Sequence, residues 1–517
     1  MERSEHRVKV IGLAIVLLFL AATYLACLSS PAIGVYHDDG IYAVTAKSIA
    51  EDGAYRIKSL PNDPPQTKYP PLFPLALSLV WRIFPKFPEN GLALRCVPLL
   101  FCILWLWVLY RYGRAQWNLS ATKAWIIVLF TAASPFTING ATTMLAECLF
   151  GAFLILTLWF IDSDPACLRN VILAALSAVA AYYTRTAALP IIVACVLYLG
   201  YKRRFSHAAV FCAVVVPLCL VWTIWFPQPE VASPIEAYYT RLNYRDWNLL
   251  TAAQPIGTRV SAAISNVLQV EIYPASISFA AADLLGRLFF FTGFACWIFT
   301  FRGALRASQV KAAHIAIALY IGMIVLWAWN PRRFLNPALP FLLIWIAQNR
   351  RFRGSRVLVS VAAVIALAGA YQIGAGTGRF GMNWFGPQHD PEWSKVNLLH
   401  RWIARNTSPD SVIMANHDPA VYLYTGRKAI RPFTANPWRM SYGVKSPIEP
   451  KIRDLLATAQ RYAVDYLMVT VHDNRDEPYF PDMIESLLRS GAIAKVYDAG
   501  PGIGGTLGYS VFRFQHY

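Results

Sequence analysis

The sequence predicts an α-helical polytopic membrane protein, with about 11 transmembrane helices and a small α/β domain at the C-terminal end. Two observations predict the membrane class. Of the 517 residues, 56% are hydrophobic and only 15% are charged, a composition that a soluble chain of this length does not need. Uninterrupted apolar segments of about 16 to 22 residues also recur, close to the length that crosses the hydrocarbon core of a bilayer.

The apolar segments lie in residues 1–375. We predict spans at 10–30, 90–110, 124–139, 143–161, 170–188, 189–201, 208–226, 283–301, 312–329, 334–348 and 356–374. No small-residue cleavage site follows the first apolar core, so we interpret that segment as a retained membrane anchor. A further apolar segment, 72–84, is too short to cross the membrane and is expected to form a helix at the interface.

Basic residues are concentrated in alternate short loops. Six of these loops hold 17 Lys and Arg residues, whereas the short loops between them hold only Arg185, Arg332 and Arg333. The positive-inside rule then places the N-terminus in the cytoplasm, and an odd number of spans places the C-terminus outside. The outer face receives the loops 31–89 and 227–282 and the tail. The net charge of +18 follows from this topology, and no nucleic-acid partner is expected.

The tail, residues 376–517, is more polar and predicts a small α/β domain. Apolar residues at helical spacing occupy 393–403, and short apolar runs typical of strands alternate with further helical stretches. The predicted strands are 411–415, 465–471, 492–496 and 507–514, and the predicted helices lie near 418–425, 449–463 and 481–490. None of the nine cysteines lies in the tail or in the long outer loops, so the sequence excludes a disulfide framework there.

Candidate catalytic groups gather on the outer face of the predicted membrane domain. Asp38 and Asp39 follow the first span, and Glu147 stands where the chain re-enters the membrane. Carboxylates near lipid are costly unless they are solvated or do chemistry, such as accepting a proton or holding a divalent metal. The cations on the same face are Lys68, Arg185, Arg332 and Arg333. Cations at this depth suit a phosphate, so the groups together indicate transfer from a lipid-linked phosphate.

Each of these residues also has a simpler interpretation. Asp38 or Asp39 would serve as the N-cap of a helix that begins directly after them. Glu147 would be a solvated helix end, and Arg332 and Arg333 would be anchors that extend toward the membrane surface. The agreement of these signals on one membrane face favours the functional interpretation.

Several short motifs connect the chain to a known family. They are Asp38-Asp39 after the first span, a helical segment 40–53 that ends in glycine, Lys68-Tyr69-Pro70-Pro71-Leu72, Glu147, Thr184-Arg185, and Arg333-Phe334-Leu335-Asn336-Pro337. This set resembles the glycosyltransferase C superfamily, and within it the polyprenyl-phosphate-dependent bacterial enzymes of the protein mannosyltransferase and ArnT-like type. The acidic pair departs from the common Asp-Glu, and Thr67 stands where aminoarabinose transferases have a Glu.

The resemblance implies an inverting transfer of a hexosyl or pentosyl group from a polyprenyl-phosphate donor at the outer face of a bacterial inner membrane. It implies that Asp38 is the catalytic base and Asp39 its partner, with Glu147 as the alternative base. Lys68 and Arg333 would contact the donor phosphate, with Arg185 and Arg332 as further candidates. Residues 1–375 would then be the glycosyltransferase domain and 376–517 an extracytoplasmic α/β domain.

The loop 227–282 has the aromatic and basic content expected of a lid over the donor or acceptor. Its candidate residues are Tyr239, Arg241, Tyr244 and Arg245, although anchoring at the membrane interface explains them equally well. No cofactor is indicated. A divalent metal is compatible with the carboxylates, but Thr67 in place of the expected Glu argues against a metal site of the aminoarabinose-transferase kind. The expected partners are a polyprenyl-phosphate-linked sugar, membrane lipids, and an acceptor that is a lipopolysaccharide or other glycan, a lipid or a protein.

Two other classes of protein compete with this prediction. A transporter or flippase for a lipid-linked sugar would need similar charges, but it would also need broken spans in corresponding halves, which the sequence does not have. A non-catalytic protein of envelope assembly would make Asp38 dispensable.

Overall fold

The computed structural model describes residues 32–224, 229–241, 243–270, 309–329, 331–348, 391–501 and 508–515, with short pieces between 14 and 28 and between 298 and 305. The predicted span 356–374 lies outside the described residues, and so do all but three residues of the span 283–301. The predicted span 10–30 is described only in pieces. The predicted domain boundary near 375 also falls outside the described residues.

The described part of the chain before the tail is mainly helical. They are α1 (Asp38–Asp52), α2 (Leu72–Ile83), α3 (Gly91–Gln116), α4 (Ala121–Ala133), α5 (Pro135–Thr142), α6 (Glu147–Ser163), α7 (Leu168–Thr184), α8 (Leu189–Tyr201), α9 (Phe205–Ile224), α10 (Pro234–Ala237), α11 (Asn243–Trp247), α12 (Ile256–Val270), α13 (Ala312–Val325), α14 (Arg332–Leu335) and α15 (Leu339–Gln348). Short 3-10 turns, Thr186–Ala188 and Asn336–Ala338, precede α8 and α15.

Several of these helices are apolar enough to lie in a membrane. Among the described residues, α3 and α9 each have the length and composition to span it, and α4 with α5 forms a third span if the bent pair counts as one. Large apolar side chains on their outer surfaces are exposed, including Leu100, Ile103 and Trp107 on α3 and Val216 and Ile224 on α9. Such apolar exposure on long helices fits contact with lipid, and the chain is a multi-pass membrane protein.

The breaks between these helices have local causes. The predicted span 124–139 is divided between α4 and α5 at Ser134, because Pro135 cannot donate a helical hydrogen bond and begins a new helix. The predicted spans 170–188 and 189–201 correspond to α7 and α8, which Arg185 separates in an extended conformation. The charged residue therefore stands at the break instead of inside a helix.

The first outer loop contains the two helices that the sequence predicts there. Helix α1 ends at Asp52 because Gly53 adopts a left-handed conformation with φ of 66° and donates its N–H to the Ile49 carbonyl. Helix α2 buries Phe73, Leu77 and Trp81 on one side. Its other side exposes apolar residues, as an interfacial helix does.

The tail forms a mixed five-stranded sheet with helices around it. Its elements are α16 (Pro391–Asn406), β1 (Val412–Met414), α17 (Asp418–Thr425), β2 (Lys428–Ile430), α18 (Pro437–Tyr442), α19 (Ile448–Arg461), β3 (Val464–Val469), α20 (Asp473–Asp476), α21 (Phe480–Arg489), β4 (Ile493–Asp498) and β5 (Ser510–Phe514). The strand order is β2-β1-β3-β5-β4, and β1 pairs in parallel with β2 and β3 while β5 runs antiparallel to β3 and β4. The four predicted strands and the four helical segments are present, and the sequence prediction missed β2, α18 and α20.

The tail packs directly on the outer loops of the membrane domain. The Ala429 N–H donates to the Ser59 carbonyl at 2.7 Å, and the Lys428 ammonium donates to the Lys58 carbonyl at 2.7 Å. From the other outer loop, the Tyr239 hydroxyl accepts the Arg431 N–H at 3.1 Å. Strand β2 and its continuation thus join both outer loops to the sheet.

Candidate functional site

Asp38 and Asp39 have different structural roles although they are adjacent. The Asp39 carboxylate accepts the Gly34 N–H at 2.7 Å and the Tyr36 N–H at 3.1 Å, which closes the turn before α1. Burial raises the pKa of Asp39 to about 7 despite these hydrogen bonds. Asp38 is the first residue of α1 and takes no part in this turn with its side chain. Its carboxylate is therefore available to other partners.

Two side chains from distant parts of the chain bind the Asp38 carboxylate. The Arg333 guanidinium donates to Oδ2 at 2.6 Å, and the Tyr69 hydroxyl donates to Oδ1 at 2.5 Å. Burial by itself would raise the pKa of Asp38, but the Arg333 charge and the Tyr69 hydrogen bond outweigh it and hold that pKa well below its usual range. Asp38 is thus an ionised, hydrogen-bonded carboxylate in the donor-free protein.

Glu147 lies beside Asp38 and is joined to it through Arg333. Its Oε1 is 2.6 Å from Arg185 Nη1 and 2.9 Å from Arg333 Nε. The Glu147 side chain is 3% exposed, whereas Asp38 is 18% and Arg333 26% exposed, so Asp38 is the more accessible carboxylate. The other Glu147 oxygen, Oε2, has no hydrogen-bond partner among the described residues. These four side chains, Asp38, Glu147, Arg185 and Arg333, are called the charged cluster below.

The helices fix the charged cluster by close packing. Glu147 begins α6, and Gly151 one turn later lies against the Trp105 ring of α3, where a β-carbon would come within 2.6 Å of that ring. Only glycine allows this approach of α6 to α3. The Phe334 ring lies 5.2 Å from the Arg185 guanidinium and 5.3 Å from that of Arg333, so one aromatic side chain supports both cations.

The geometry decides against the simpler interpretations of three residues. Asp38 makes no capping hydrogen bond to α1, whose N-cap position is His37. Glu147 is buried and ion-paired instead of being a solvated helix end. Arg333 points inward to two carboxylates and is not an anchor at the membrane surface.

Lys68 lies in an aromatic cage next to the charged cluster. Its side chain is buried, and its ammonium donates to the Tyr238 carbonyl at 2.9 Å. The Tyr238 ring is 3.9 Å and the Trp247 ring 5.0 Å from the same nitrogen. Burial lowers the pKa of Lys68 to about 7, although the charge on Asp38 partly opposes this. Burial therefore makes the Lys68 ammonium a stronger acid than an exposed lysine.

The remaining predicted site residues lie away from the charged cluster. Arg241 donates to the Trp222 and Thr223 carbonyls at 3.0 and 3.1 Å, where α9 ends. Tyr239 is buried against the tail, and Tyr244 packs on Trp247 with a ring separation of 5.5 Å. Arg245 is exposed, and the Arg332 side chain is outside the described part of the structure. Of the predicted lid residues, Tyr239 thus contacts the tail, and Tyr244 lies beside the cage, with its ring 5.8 Å from the Lys68 ammonium.

Sequence reasoning missed several residues that shape the site. Tyr69 was visible only as the variable position of the Lys-x-Pro-Pro-Leu motif, yet its hydroxyl binds Asp38 directly. Tyr238 was part of the aromatic loop but was not selected, although its ring and carbonyl hold Lys68. Asp418 and Arg431 of the tail carry no motif, and only the fold brings them near the outer loops.

No group of three or more His, Cys, Asp or Glu side chains in the described part of the chain is arranged to hold a metal ion. The carboxylates of the charged cluster are neutralised by guanidinium groups, which is a poor environment for a divalent cation.

Solved structures share this fold, although no family model and no curated protein matches the chain. ArnT from Cupriavidus metallidurans bound to undecaprenyl phosphate matches with a TM-score of 0.57 and 12% identity over 97% of each chain. AglB, an oligosaccharyltransferase of Archaeoglobus fulgidus in complex with an inhibitory peptide and a dolichol-phosphate, matches with a TM-score of 0.52 and 12% identity, over 96% of this chain and 74% of its own. The A. fulgidus oligosaccharyltransferase complex with Zn and sulfate matches with a TM-score of 0.54 and 14% identity, over 96% and 72% of the two chains. The resemblance predicted from the sequence is confirmed for the fold.

Proposed function

We propose that this protein is a membrane glycosyltransferase that moves a sugar from a polyprenyl-phosphate donor to an acceptor at the outer face of the membrane, with inversion at the anomeric carbon. The observation that carries the proposal is the charged cluster, in which two carboxylates and two guanidinium groups meet beneath the outer loops. The shared fold with ArnT bound to undecaprenyl phosphate supports the same conclusion.

The cations suit the phosphate of such a donor. A sugar linked to a polyprenyl phosphate carries one negative charge, and guanidinium groups bind phosphate oxygens through two parallel hydrogen bonds. Arg333 is the more exposed of the two guanidinium groups. The Lys68 ammonium is a further cation that no carboxylate of the described residues pairs directly, so it can add charge when the donor arrives.

The proposed reaction is one displacement at the anomeric carbon. The acceptor oxygen or nitrogen attacks this carbon, and the bond from the carbon to the phosphate oxygen breaks. Polyprenyl phosphate leaves with the bonding electron pair, and Arg333 and Lys68 stabilise the charge that develops on it. The acceptor proton passes to the Asp38 carboxylate.

Asp38 needs a change in its surroundings before it can act as a base. Paired with Arg333 and Tyr69, its pKa is too low for efficient proton transfer near neutral pH. We propose that the donor phosphate competes for Arg333, while Glu147 keeps its own partner Arg185. Asp38 then loses much of its pairing, its pKa rises, and the base becomes active only when the donor is bound.

Purified protein in nanodiscs tests this function with labelled sugars on polyprenyl phosphate. The donor panel and acceptor class follow from mass spectrometry of envelope glycans and lipids in a deletion strain. Transfer that is lost in Asp38→Asn supports the proposal. Movement of the lipid-linked sugar across the bilayer without sugar transfer would indicate a transporter instead. The absence of both transfer and movement would indicate an assembly protein.

The proposed reaction also requires Asp38 to face the exterior. The loop charges place the N-terminus inside and the tail in the periplasm or the exterior. A reporter enzyme that is active only outside the cytoplasm is expected to be active when fused after Gly376 and inactive after Arg353. The reverse pattern would place Asp38 in the cytoplasm and exclude the proposed donor face.

A further inference from the structure

We infer that the tail domain takes part in catalysis by fixing the turn that carries Asp38, and that Asp418, acting through His37, is a positioning residue. This inference rests on the proposed function, because it concerns the orientation of the proposed base. Three features of the turn 34–40 support it: a strained backbone at His37, a buried hydrogen bond from the His37 side chain to the tail, and direct contact between the backbone and α17.

The backbone at His37 is in a conformation that residues with a side chain rarely adopt. Its φ is 62° and its ψ is −51°, and the Asp38 N–H donates to the Tyr36 carbonyl at 2.7 Å across it. This is a γ-turn with positive φ at the central residue, a rare and strained form. Such a conformation persists only where the surrounding structure holds it, and it lies immediately before the proposed base.

A buried hydrogen bond to the tail holds this turn. His37 Nε2 lies 3.0 Å from Asp418 Oδ1, and the Asp418 side chain is fully buried. A carboxylate oxygen accepts, so the tautomer of His37 that carries its proton on Nε2 makes this hydrogen bond. The two residues are 381 positions apart in the sequence, and Asp418 is the first residue of α17. The hydrogen bond therefore joins the tail directly to the residue that precedes Asp38.

Helix α17 also touches the backbone of the turn on both sides of His37. A β-carbon on Gly34, whose φ is 98°, would lie 2.7 Å from the Ala420 β-carbon. A β-carbon on Gly40 would lie 2.7 Å from the Pro419 β-carbon. Glycine at these two positions lets the turn pack directly against α17, so the backbone before and at the start of α1 is in contact with the tail.

His37 also contacts the aromatic residues around Lys68. The His37 ring meets the Tyr238 ring edge-on at 5.2 Å, and Tyr238 also lies 3.9 Å from the Lys68 ammonium. Arg431 of the tail lies 4.5 Å from the same ring. The turn thus connects the tail to both the proposed base and the proposed phosphate-binding lysine.

Asp418→Ala tests the inference, with Glu477→Ala as the matched control. Glu477 is an equally buried carboxylate of the tail, but its ion pairs with Arg439 and Lys451 stay within the tail. We expect Asp418→Ala to lower kcat about 10- to 100-fold, since a displacement of about 1 Å in a reacting group has this effect. The KM for the donor should change little. Glu477→Ala should retain near-normal kcat even if it lowers the melting temperature.

Two further variants separate positioning from general stability. Asp418→Asn keeps an oxygen that accepts from His37 and should restore most of the lost kcat. His37→Gly tolerates the positive φ but removes the link, so it should resemble Asp418→Ala. The double variant should be no slower than the slower single variant if the two residues act as one unit. Additive losses, or equal losses in Glu477→Ala, would overturn the inference.

Hydrogen–deuterium exchange provides a readout that does not depend on activity. Peptides covering 34–41 should exchange faster in Asp418→Ala and His37→Gly than in the wild type or in Glu477→Ala, because the Asp38 and Ile41 amides lose their support. Unchanged exchange would refute the link even if activity falls. Faster exchange in a protein that transfers no sugar would leave the link standing and refute the proposed function. If Asp418→Ala does not fold, His37→Gly alone decides.

Discussion

Replacing Asp38 with Asn is the most informative perturbation of the charged cluster. The amide has almost the same size and keeps an oxygen that can accept from Tyr69, which lies 2.5 Å from Asp38 Oδ1. It loses the negative charge that pairs with Arg333 and the ability to take a proton. Arg333 still has Glu147 at 2.9 Å, so its charge does not become unpaired. The substitution therefore removes the proposed base while disturbing the surroundings little.

The two expected effects differ greatly in size. Loss of one charge-assisted hydrogen bond lowers the free energy of unfolding by about 1.5 to 3 kcal/mol. Loss of general base catalysis lowers turnover by about 10²- to 10⁴-fold. Expression and fold should thus persist in a protein that has nearly no activity. A structural role for Asp38 would instead produce a stability loss with normal turnover in the folded fraction.

The assay is transfer of a labelled sugar from the polyprenyl-phosphate donor by purified protein, with thermal unfolding measured on the same samples. Asp39→Asn is the matched control, since its carboxylate accepts two backbone N–H groups and is not bound to Arg333. We expect this control to be less impaired. Full activity in Asp38→Asn would refute the assignment and move the base to Glu147, for which Glu147→Gln would then be the decisive variant.

Three further predictions concern the other groups. Burial lowers the pKa of Lys68 to about 7, so its positive charge is lost as the pH rises through that value. We therefore expect kcat/KM for the donor to fall above about pH 7, and Lys68→Arg should move this fall to higher pH. Arg333→Ala leaves the buried Glu147 and the half-buried Asp38 short of a partner, so it should weaken donor turnover and lower the free energy of unfolding by about 3 kcal/mol, measured by denaturation in detergent. Burial lowers the pKa of His400 from 6.5 to about 4. Between these pH values the unfolded state binds a proton that the folded state does not, so the free energy of unfolding should fall by about 3 kcal/mol as the pH falls from 6.5 to 4. His400→Phe keeps the stacking on Tyr424 and should abolish this acid sensitivity in melting curves.

Much of the local structure was predictable because it depends on nearby residues. A helix at 40–53 that ends in glycine is among the marks of the family resemblance, and α1 ends at Asp52, directly before Gly53. The alternation of short apolar runs with helical stretches predicts four strands of the tail. Strand β2 was missed because its sequence, Lys428-Ala429-Ile430, contains no apolar run of its own, and its pairing with β1 makes it a strand.

The candidate site was predictable in membership but not in arrangement. Hydropathy and loop charge place Asp38, Glu147, Arg185 and Arg333 on one face of the membrane. They do not tell that Arg333 joins both carboxylates, or that Lys68 lies in an aromatic cage beside them. Such distances depend on how the helices pack, and a sequence pattern contains only the spacing within each helix.

By itself, the sequence determined the membrane class and the mixed character of the tail, because each follows from the solvation free energies of residue types along the chain. It also predicts the side of the membrane on which the charged residues gather. Only the tertiary structure decided which charges meet, because ion pairs such as Asp38 with Arg333 join positions 295 residues apart. It also decided that His37 is held in its strained conformation by Asp418 of the tail. No local preference favours that conformation, so it exists only through contacts that the folded chain supplies.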